Sequence, residues 1–260
     1  TVVACVMYGP LDRKPKQDTQ TFPTTTKGLL ALHDWLLQWE CTHVAMESSG
    51  VYWKPVWNIL EDSFTLVLAN AQRIKNVPGR KTDVNDAAWI AQLLRCGLIT
   101  PSFVPPEDIR DLRDLTRYRR RLLGYATSEK NRIHKILQDA NIKLTTYVSD
   151  LFGVSGRALL EAVINGEVLT AEQVRDLVKT SLKRKVPELL DALNGRVRKH
   201  HRRMMRMHMD HLLYIENQIA ELEQEIDRLL QPYRESVTLI QTIPGIKEDA
   251  AAVILAEIGN

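Results

Sequence analysis

The sequence predicts an α/β sheet domain followed by an all-α region that contains a coiled coil. Three observations support this fold class. Short β-rich runs alternate with amphipathic helices as far as about residue 97. The proline-bearing segment 101–106 then ends this pattern. Beyond it the chain is predicted to be helical, with apolar heptads between residues 205 and 229.

The composition is that of an ordinary soluble globular protein. Of the 260 residues, 44% are hydrophobic and 26% are charged, which excludes disordered, collagen-like and membrane-spanning classes. The formal net charge of +3 does not by itself require a nucleic-acid partner. The cysteines lie far apart without CxxC pairs, and we expect reduced, buried thiols at Cys5, Cys41 and Cys96.

The sheet domain is predicted to contain strands and helices in alternation. Strands are expected at Val2–Tyr8, Asp18–Phe22, His43–Glu47 and Phe64–Leu68. Helices are expected at Thr26–Trp39, after a threonine-rich cap, at Val51–Leu60, and at Asp83–Arg95, which ends at Gly97. The segment after Pro10 should turn two antiparallel strands. The unit that begins at His43 should be a right-handed parallel crossover.

The remainder of the chain is predicted to be helical. Apolar residues at helical spacing predict a long helix from Glu107 to Ala140, which ends before the glycines at 153 and 156. Shorter helices are expected at Arg157–Asn165 and at Thr170–Ser181, where Thr170 and Gln173 form a capping box.

Four heptads predict a helix with one apolar seam. The two core positions are occupied by Met205, Leu212, Ile219 and Ile226, and by His208, Ile215, Leu222 and Leu229. The partner of this seam is either the helix that begins at Glu107, folded back, or the same helix of a second subunit.

Three acidic residues form the first candidate site. Glu47 ends a predicted strand, where open α/β sheets place their ligands. Asp83 and Asp86 lie about one turn apart at a helix N-terminus. Carboxylates without histidine or cysteine suit Mg²⁺, and two such ions can drive in-line displacement at a phosphate. The alternative is that the two aspartates only stabilise the helix dipole. Arg80 and Lys81 either hold a phosphate or are solvated.

Two basic clusters form a candidate nucleic-acid surface, although charge runs are usually only a solvated helix face. The second cluster includes His200 and His201, and no acid occurs between Gly195 and Met209, which favours phosphate contacts there. The arginines and lysine proposed for binding are Arg117, Arg119, Arg120 and Arg121, then Arg196, Arg198, Lys199, Arg202, Arg203 and Arg206.

A third motif is the Pro-Gly turn between Ile243 and Ala250. It is similar to the hairpin of helix-hairpin-helix proteins, in which turn amides face a DNA phosphate. Gly245 and Lys247 are the candidate contacts, although Lys247 stands where a second glycine is usual. A plain helix-packing turn is the alternative.

Together these motifs resemble the DEDD transposases of the insertion sequence one-hundred-ten family. The resemblance rests on three motifs in the right order and spans nearly the whole chain. They are Met46-Glu47-Ser48-Ser49-Gly50-Val51-Tyr52-Trp53, Lys81-Thr82-Asp83-Val84-Asn85-Asp86-Ala87, and Ile243-Pro244-Gly245-Ile246 with Ala256-Glu257-Ile258-Gly259.

The resemblance implies three regions. Residues 1–100 would form a ribonuclease H-like domain of the Holliday-junction-resolvase type, residues 101–235 a coiled-coil region that binds nucleic acid, and residues 236–260 the start of a carboxyl-terminal transposase domain. Glu47, Asp83 and Asp86 would be the second, third and fourth members of the acidic tetrad. The first aspartate would lie upstream of Thr1 and the nucleophilic serine beyond Asn260.

The resemblance also implies an activity: a transposase that uses Mg²⁺ or Mn²⁺ to recombine element ends with target DNA. In some members an element-encoded RNA guides the reaction. A homodimer or tetramer through residues 205–229, no membrane association and a DNA-associated location in the bacterial cytoplasm are expected. The alternatives are a resolvase-like metal-dependent nuclease and an inactive remnant that only binds nucleic acid.

Overall fold

The computed structural model describes residues 1–10, 12–70, 72 and 86–259. The chain divides into two compact units, Thr1–Val104 and Pro105–Asn260. The first unit combines strands and helices, and the described part of the second contains helices without strands. This confirms the predicted fold class, a small mixed sheet domain followed by a long helical region.

The strands of the first unit form two small sheets. Strand β1 (Val2–Tyr8) pairs antiparallel with β2 (Lys16–Phe22), and β3 (His43–Glu47) pairs parallel with β4 (Thr65–Ala69). The predicted hairpin and parallel crossover are therefore confirmed. A short strand β5 (Pro101–Ser102) adds antiparallel to β4, although the proline-bearing segment was expected to end the sheet domain. Proline is tolerated there because it is the first residue of an edge strand.

The helices of this unit follow the predicted order with shifted ends. Helix α1 (Thr26–Gln38) begins at a cap in which the Thr25 hydroxyl accepts from the Gly28 amide at 3.2 Å. Helix α2 (Lys54–Leu60) begins three residues later than predicted, because residues 51–53 form a turn. A proline lies in its first helical positions, where proline is favoured. Helix α3 (Asp86–Arg95) is followed by Gly97 at φ +68°. Its predicted start at Asp83 lies outside the described residues.

The cysteines are less buried than the sequence predicts. Cys5 and Cys41 are half-buried, and burial raises the pKa of the Cys41 thiol. The expectation is wrong for Cys96, which is exposed because it lies just beyond the last turn of α3.

The two sheets leave two strand edges facing one cavity. Strands β1 and β3 each end a sheet, since the strand orders are β1-β2 and β3-β4-β5. Both line a cavity of about 1600 Å³, whose wall is completed by α3 and by side chains of α1 and α2.

The second unit is built on an antiparallel helical hairpin. This hairpin consists of helix α4 (Glu107–Asp139) and helix α8 (Lys199–Leu230), which run in opposite directions. Arg119 in α4 bonds Glu223 near the end of α8, whereas Asp139 at the end of α4 bonds His201 near the start of α8. The seam residues Met205, Leu212, Ile215, Ile219 and Ile226 are buried. The partner of the heptads is therefore the α4 helix of the same chain, the first of the two alternatives.

Shorter helices cover one side of this hairpin. Helix α5 (Val154–Asn165) begins three residues earlier than predicted, with Gly153 as its cap. Gly156 lies inside this helix. The position requires glycine because a Cβ there would meet the Leu151 carbonyl oxygen at 2.3 Å. Helix α6 (Ala171–Leu177) has the predicted capping box but ends before Ser181, since Val178 is extended. Helix α7 (Val186–Leu193) follows, and all three contribute to one core with α4 and α8.

The last two helices pack at the other end of the hairpin. Helix α9 (Arg234–Gln241) and helix α10 (Glu248–Ile258) flank the predicted Pro-Gly turn, in which Gly245 has φ +87°. Their apolar residues share a core with Ile109 and Leu112 of α4 and Leu230 of α8. Of the helices in the described ranges, none has the length and apolar character needed to span a membrane.

Candidate active site and nucleic-acid interface

Glu47 lies at the carboxyl end of β3, as the sequence predicts. Because β3 and β4 are parallel, their carboxyl ends meet at one edge, and Glu47 is in register with Ala69. The carboxylate is half-buried, and its Oε1 accepts a 2.8 Å hydrogen bond from the Ser49 hydroxyl. The Ser-Ser-Gly motif after the strand therefore orients this carboxylate.

Asp86 lies in the first turn of α3 and lines the same cavity as Glu47. Helix α3 packs against β1 and β3, which places its N-terminus beside the sheet. The structure thus brings two of the three predicted carboxylates to one cavity. Asp83, Arg80 and Lys81 lie outside the described residues. Two carboxylates and a serine hydroxyl are hard oxygen donors, a set that fits Mg²⁺ or Mn²⁺ and does not favour zinc.

The first basic cluster is partly neutralised by acids of the same chain. Both nitrogens of the Arg117 fork donate to Glu257 at 2.7 Å, and these hydrogen bonds hold the pKa of Glu257 below its usual value. Arg119 bonds Glu223 and Asp249. Arg120 and Arg121 are exposed, and neither forms an ion pair with any described residue. These two side chains present the uncompensated charge of the cluster.

The second cluster is also partly paired, by acids distant in sequence. Arg206 donates to Glu161 and Asn165 of α5, and Arg198 lies 3.5 Å from Asp139 of α4. The absence of acids between residues 195 and 209 therefore does not leave the whole cluster unneutralised. Within the described part of the chain, the cluster residues without an ion pair are Arg196, Lys199, Arg202 and Arg203, of which all but Arg202 are exposed.

The Pro-Gly turn is exposed but has acids beside it. Gly245 and Lys247 are both exposed, and Lys247 precedes the first residue of α10. Glu248 and Asp249 occupy the first turn of α10, where they complement the helix dipole and bond Arg234 and Arg119. A phosphate at this N-terminus would have to displace those carboxylates.

Sequence reasoning missed a buried acid in the seam of the hairpin. Glu129 is only 2% exposed, and its carboxylate bonds His208 at 2.6 Å, His211 at 3.0 Å and Arg132. Burial acts to raise its pKa, but the hydrogen bonds from the two histidines and the charge of Arg132 outweigh it, so that the pKa lies below its usual value. The signal was the histidine at a core heptad position.

A second group that the sequence did not reveal contains Asp139, His200 and His201. One ligand atom of each lies within 4.8 Å of the others, so the group has the spacing of a metal site. However, Nδ1 of His201 accepts from the Arg198 amide while Nε2 lies 2.7 Å from Asp139. The arrangement is therefore that of a helix cap and a hydrogen-bonded pair.

The comparison with known families identifies the class of protein. A DEDD-type family described as transposase, that of the insertion sequence one-hundred-ten (IS110), matches residues 1–142, more than half of the chain. The match covers the whole mixed sheet unit and all of α4, so the class is a DNA-processing enzyme. The chain belongs to this transposase family. No curated protein matches the chain.

Proposed function

We propose that this transposase cuts element ends and target DNA and rejoins them, using Mg²⁺ or Mn²⁺ held by Glu47, Asp83 and Asp86. The observation that carries the proposal is that Asp86 lines the same cavity as Glu47, which lies at the carboxyl end of a parallel strand. Divalent ions bound there would supply charge stabilisation at the phosphate under attack. The chain's own contribution is to orient the carboxylates, as Ser49 does for Glu47.

The nucleic acid in this proposal lies on the helical unit. Its uncompensated charges, Arg120 and Arg121 on α4 and Arg196, Lys199 and Arg203 near the start of α8, suit a phosphate backbone. An element-encoded RNA that pairs with both DNAs would use the same surface. The reaction joins two DNA ends, and we propose a dimer or tetramer. Since α4 covers the heptad seam, copies would associate through another face of residues 205–229.

A strand-exchange assay with element-end and target DNA tests the chemistry. Asp86→Asn should keep its affinity for DNA and lose joined products, because a ligand of the metal is removed while the helical unit is unchanged. Asp62→Asn, an exposed acid of the same unit, is the matched control and should retain exchange. Undiminished exchange by Asp86→Asn would contradict the metal assignment. If the unaltered protein cuts the DNA but does not join the ends, it is a resolvase-like nuclease. If it binds DNA without cutting it, it is an inactive remnant.

The salt dependence of DNA binding tests the interface. Arg203→Gln should lower the slope of log K against log salt by about 0.9, because one phosphate contact is lost on duplex DNA. Arg206→Gln removes the same charge from a side chain already paired with Glu161, and it should change the slope less. Equal effects of the two variants would show that ion pairing within the chain does not decide which arginines bind.

A further inference from the structure

A second cavity, of about 500 Å³, lies in the helical unit between the end of α5 and the turn that joins α7 to α8. This volume is typical of a small-ligand site. Its apolar walls include Leu169, Leu193 and Val197. Three charged side chains also line it, namely Arg202, Glu167 and Asp191. The cavity therefore combines apolar surface with one cationic donor and two anionic acceptors.

The guanidinium of Arg202 has no acceptor in the described part of the chain. Its Nε is buried without a hydrogen-bond partner, whereas the nearby Arg198 and Arg206 are both paired with acids. The guanidinium lies against Gly166, where a Cβ would come within 2.3 Å of its Nη1. Because a guanidinium that lines a cavity without an acceptor is unfavourable, Arg202 suits a ligand that supplies one.

The lining selects one class of ligand. A simple anion would satisfy Arg202 but would be repelled by Glu167 and Asp191. A purely apolar ligand would leave the guanidinium of Arg202 without an acceptor, whereas Glu167 already accepts a hydrogen bond from Asn165. A nucleobase has apolar faces for the leucine and valine walls, carbonyl or ring-nitrogen acceptors for Arg202, and amino donors for the carboxylates. Its flat face also stacks on a guanidinium.

We propose that this cavity receives one unstacked base of the nucleic acid bound along the helical unit. The proposal rests on the proposed function, since it requires nucleic acid on this surface. Arg196 and Arg203 are exposed and each is adjacent in sequence to a cavity-lining residue, and the exposed Lys199 lies two residues after Val197. They are placed to hold the phosphates on either side of the inserted base. A base taken out of its stack exchanges stacking on its neighbours for contacts in the cavity.

A single-stranded DNA oligonucleotide that contains one 2-aminopurine tests the proposal, since the fluorescence of this base rises when it leaves the stack. Arg202→Gln removes the guanidinium. Asn194→Trp fills the cavity from an exposed lining position, so the test does not depend on one variant. Each should weaken binding about tenfold, the loss expected for one stacked base, and abolish the rise. Arg203→Gln is the matched control, with the same loss of charge outside the cavity.

The outcomes separate the cavity from the general interface. Arg203→Gln should weaken binding less than Arg202→Gln and keep the fluorescence rise, and circular dichroism should show the same helix content in all variants. If Arg202→Gln and Asn194→Trp bind and fluoresce as Arg203→Gln does, the base-binding cavity is wrong and the nucleic-acid surface stands. If the unaltered protein binds no oligonucleotide, the proposed nucleic-acid surface is wrong as well.

Discussion

Glu129→Gln should destabilise the helical unit by about 2–3 kcal/mol at pH 7.5. The carboxylate is buried in the seam and accepts hydrogen bonds from His208, His211 and Arg132. Hydrogen bonds to a charged group contribute about 1.5–3 kcal/mol each, and the amide replaces only part of them. The loss stays below the 3–5 kcal/mol typical of a broken buried pair, because the glutamine amide oxygen still accepts hydrogen bonds from the same donors.

Urea unfolding followed by helical circular dichroism measures this loss, with Glu225→Gln as the matched control. Glu225 bonds Arg228 on the exposed side of α8, where solvent screens the pair, and its loss should cost little stability. The folded-state pKa of Glu129 is depressed, so its stabilising effect is present above the unfolded value of 4.5 and is lost as the pH falls through the folded value. The difference between Glu129→Gln and the unaltered protein should therefore vanish in acid. Equal losses in the two variants at pH 7.5 would refute the reasoning.

Three further changes test the local structure of the helical unit by the same unfolding measurement. Gly124→Ala in α4 should stabilise the protein by about 0.5–1 kcal/mol, because nothing lies within 4 Å of the added Cβ. Gly156→Ala should destabilise it by about 1–3 kcal/mol, because that Cβ would meet the Leu151 carbonyl at 2.3 Å; a gain in stability would show that the α5 start is wrongly placed. Thr170→Ala should cost about 1 kcal/mol through loss of the capping box, and no loss would indicate that water replaces the cap.

Much of the fold was predictable because local patterns determine it. Strands β1 and β3 have the predicted bounds, since period-two patterning and flanking turns mark both ends. Strand β5 was missed because a two-residue strand has no pattern of its own. The start of α5 was misplaced because the sequence does not reveal that Gly156 packs tightly against the preceding turn.

The residue types and positions of the candidate sites were predictable, but the ion pairs that neutralise some of their arginines were not. The position of Glu47 at a strand end follows from the sequence, because parallel strands place their carboxyl ends together. The charge available for nucleic acid does not follow from the sequence. Glu161 neutralises Arg206 and Glu257 neutralises Arg117, and both acids lie far from their partners along the chain. Which heptad partner is used also required the tertiary structure, since both alternatives bury the same seam.

The antiparallel hairpin also sets a spacing that matches the repeat of a DNA duplex. Arg119 bonds Glu223, so Arg120 and Arg121 lie near that level of α8, 20 residues beyond Arg203. At about 1.5 Å per residue this is about 30 Å, close to the roughly 34 Å of one duplex turn. A duplex laid along the hairpin would therefore present nearly the same side of its backbone to both basic groups. Shortening both helices by about 11 residues, roughly 17 Å at about 1.5 Å per residue, would put the two basic groups half a duplex turn out of phase.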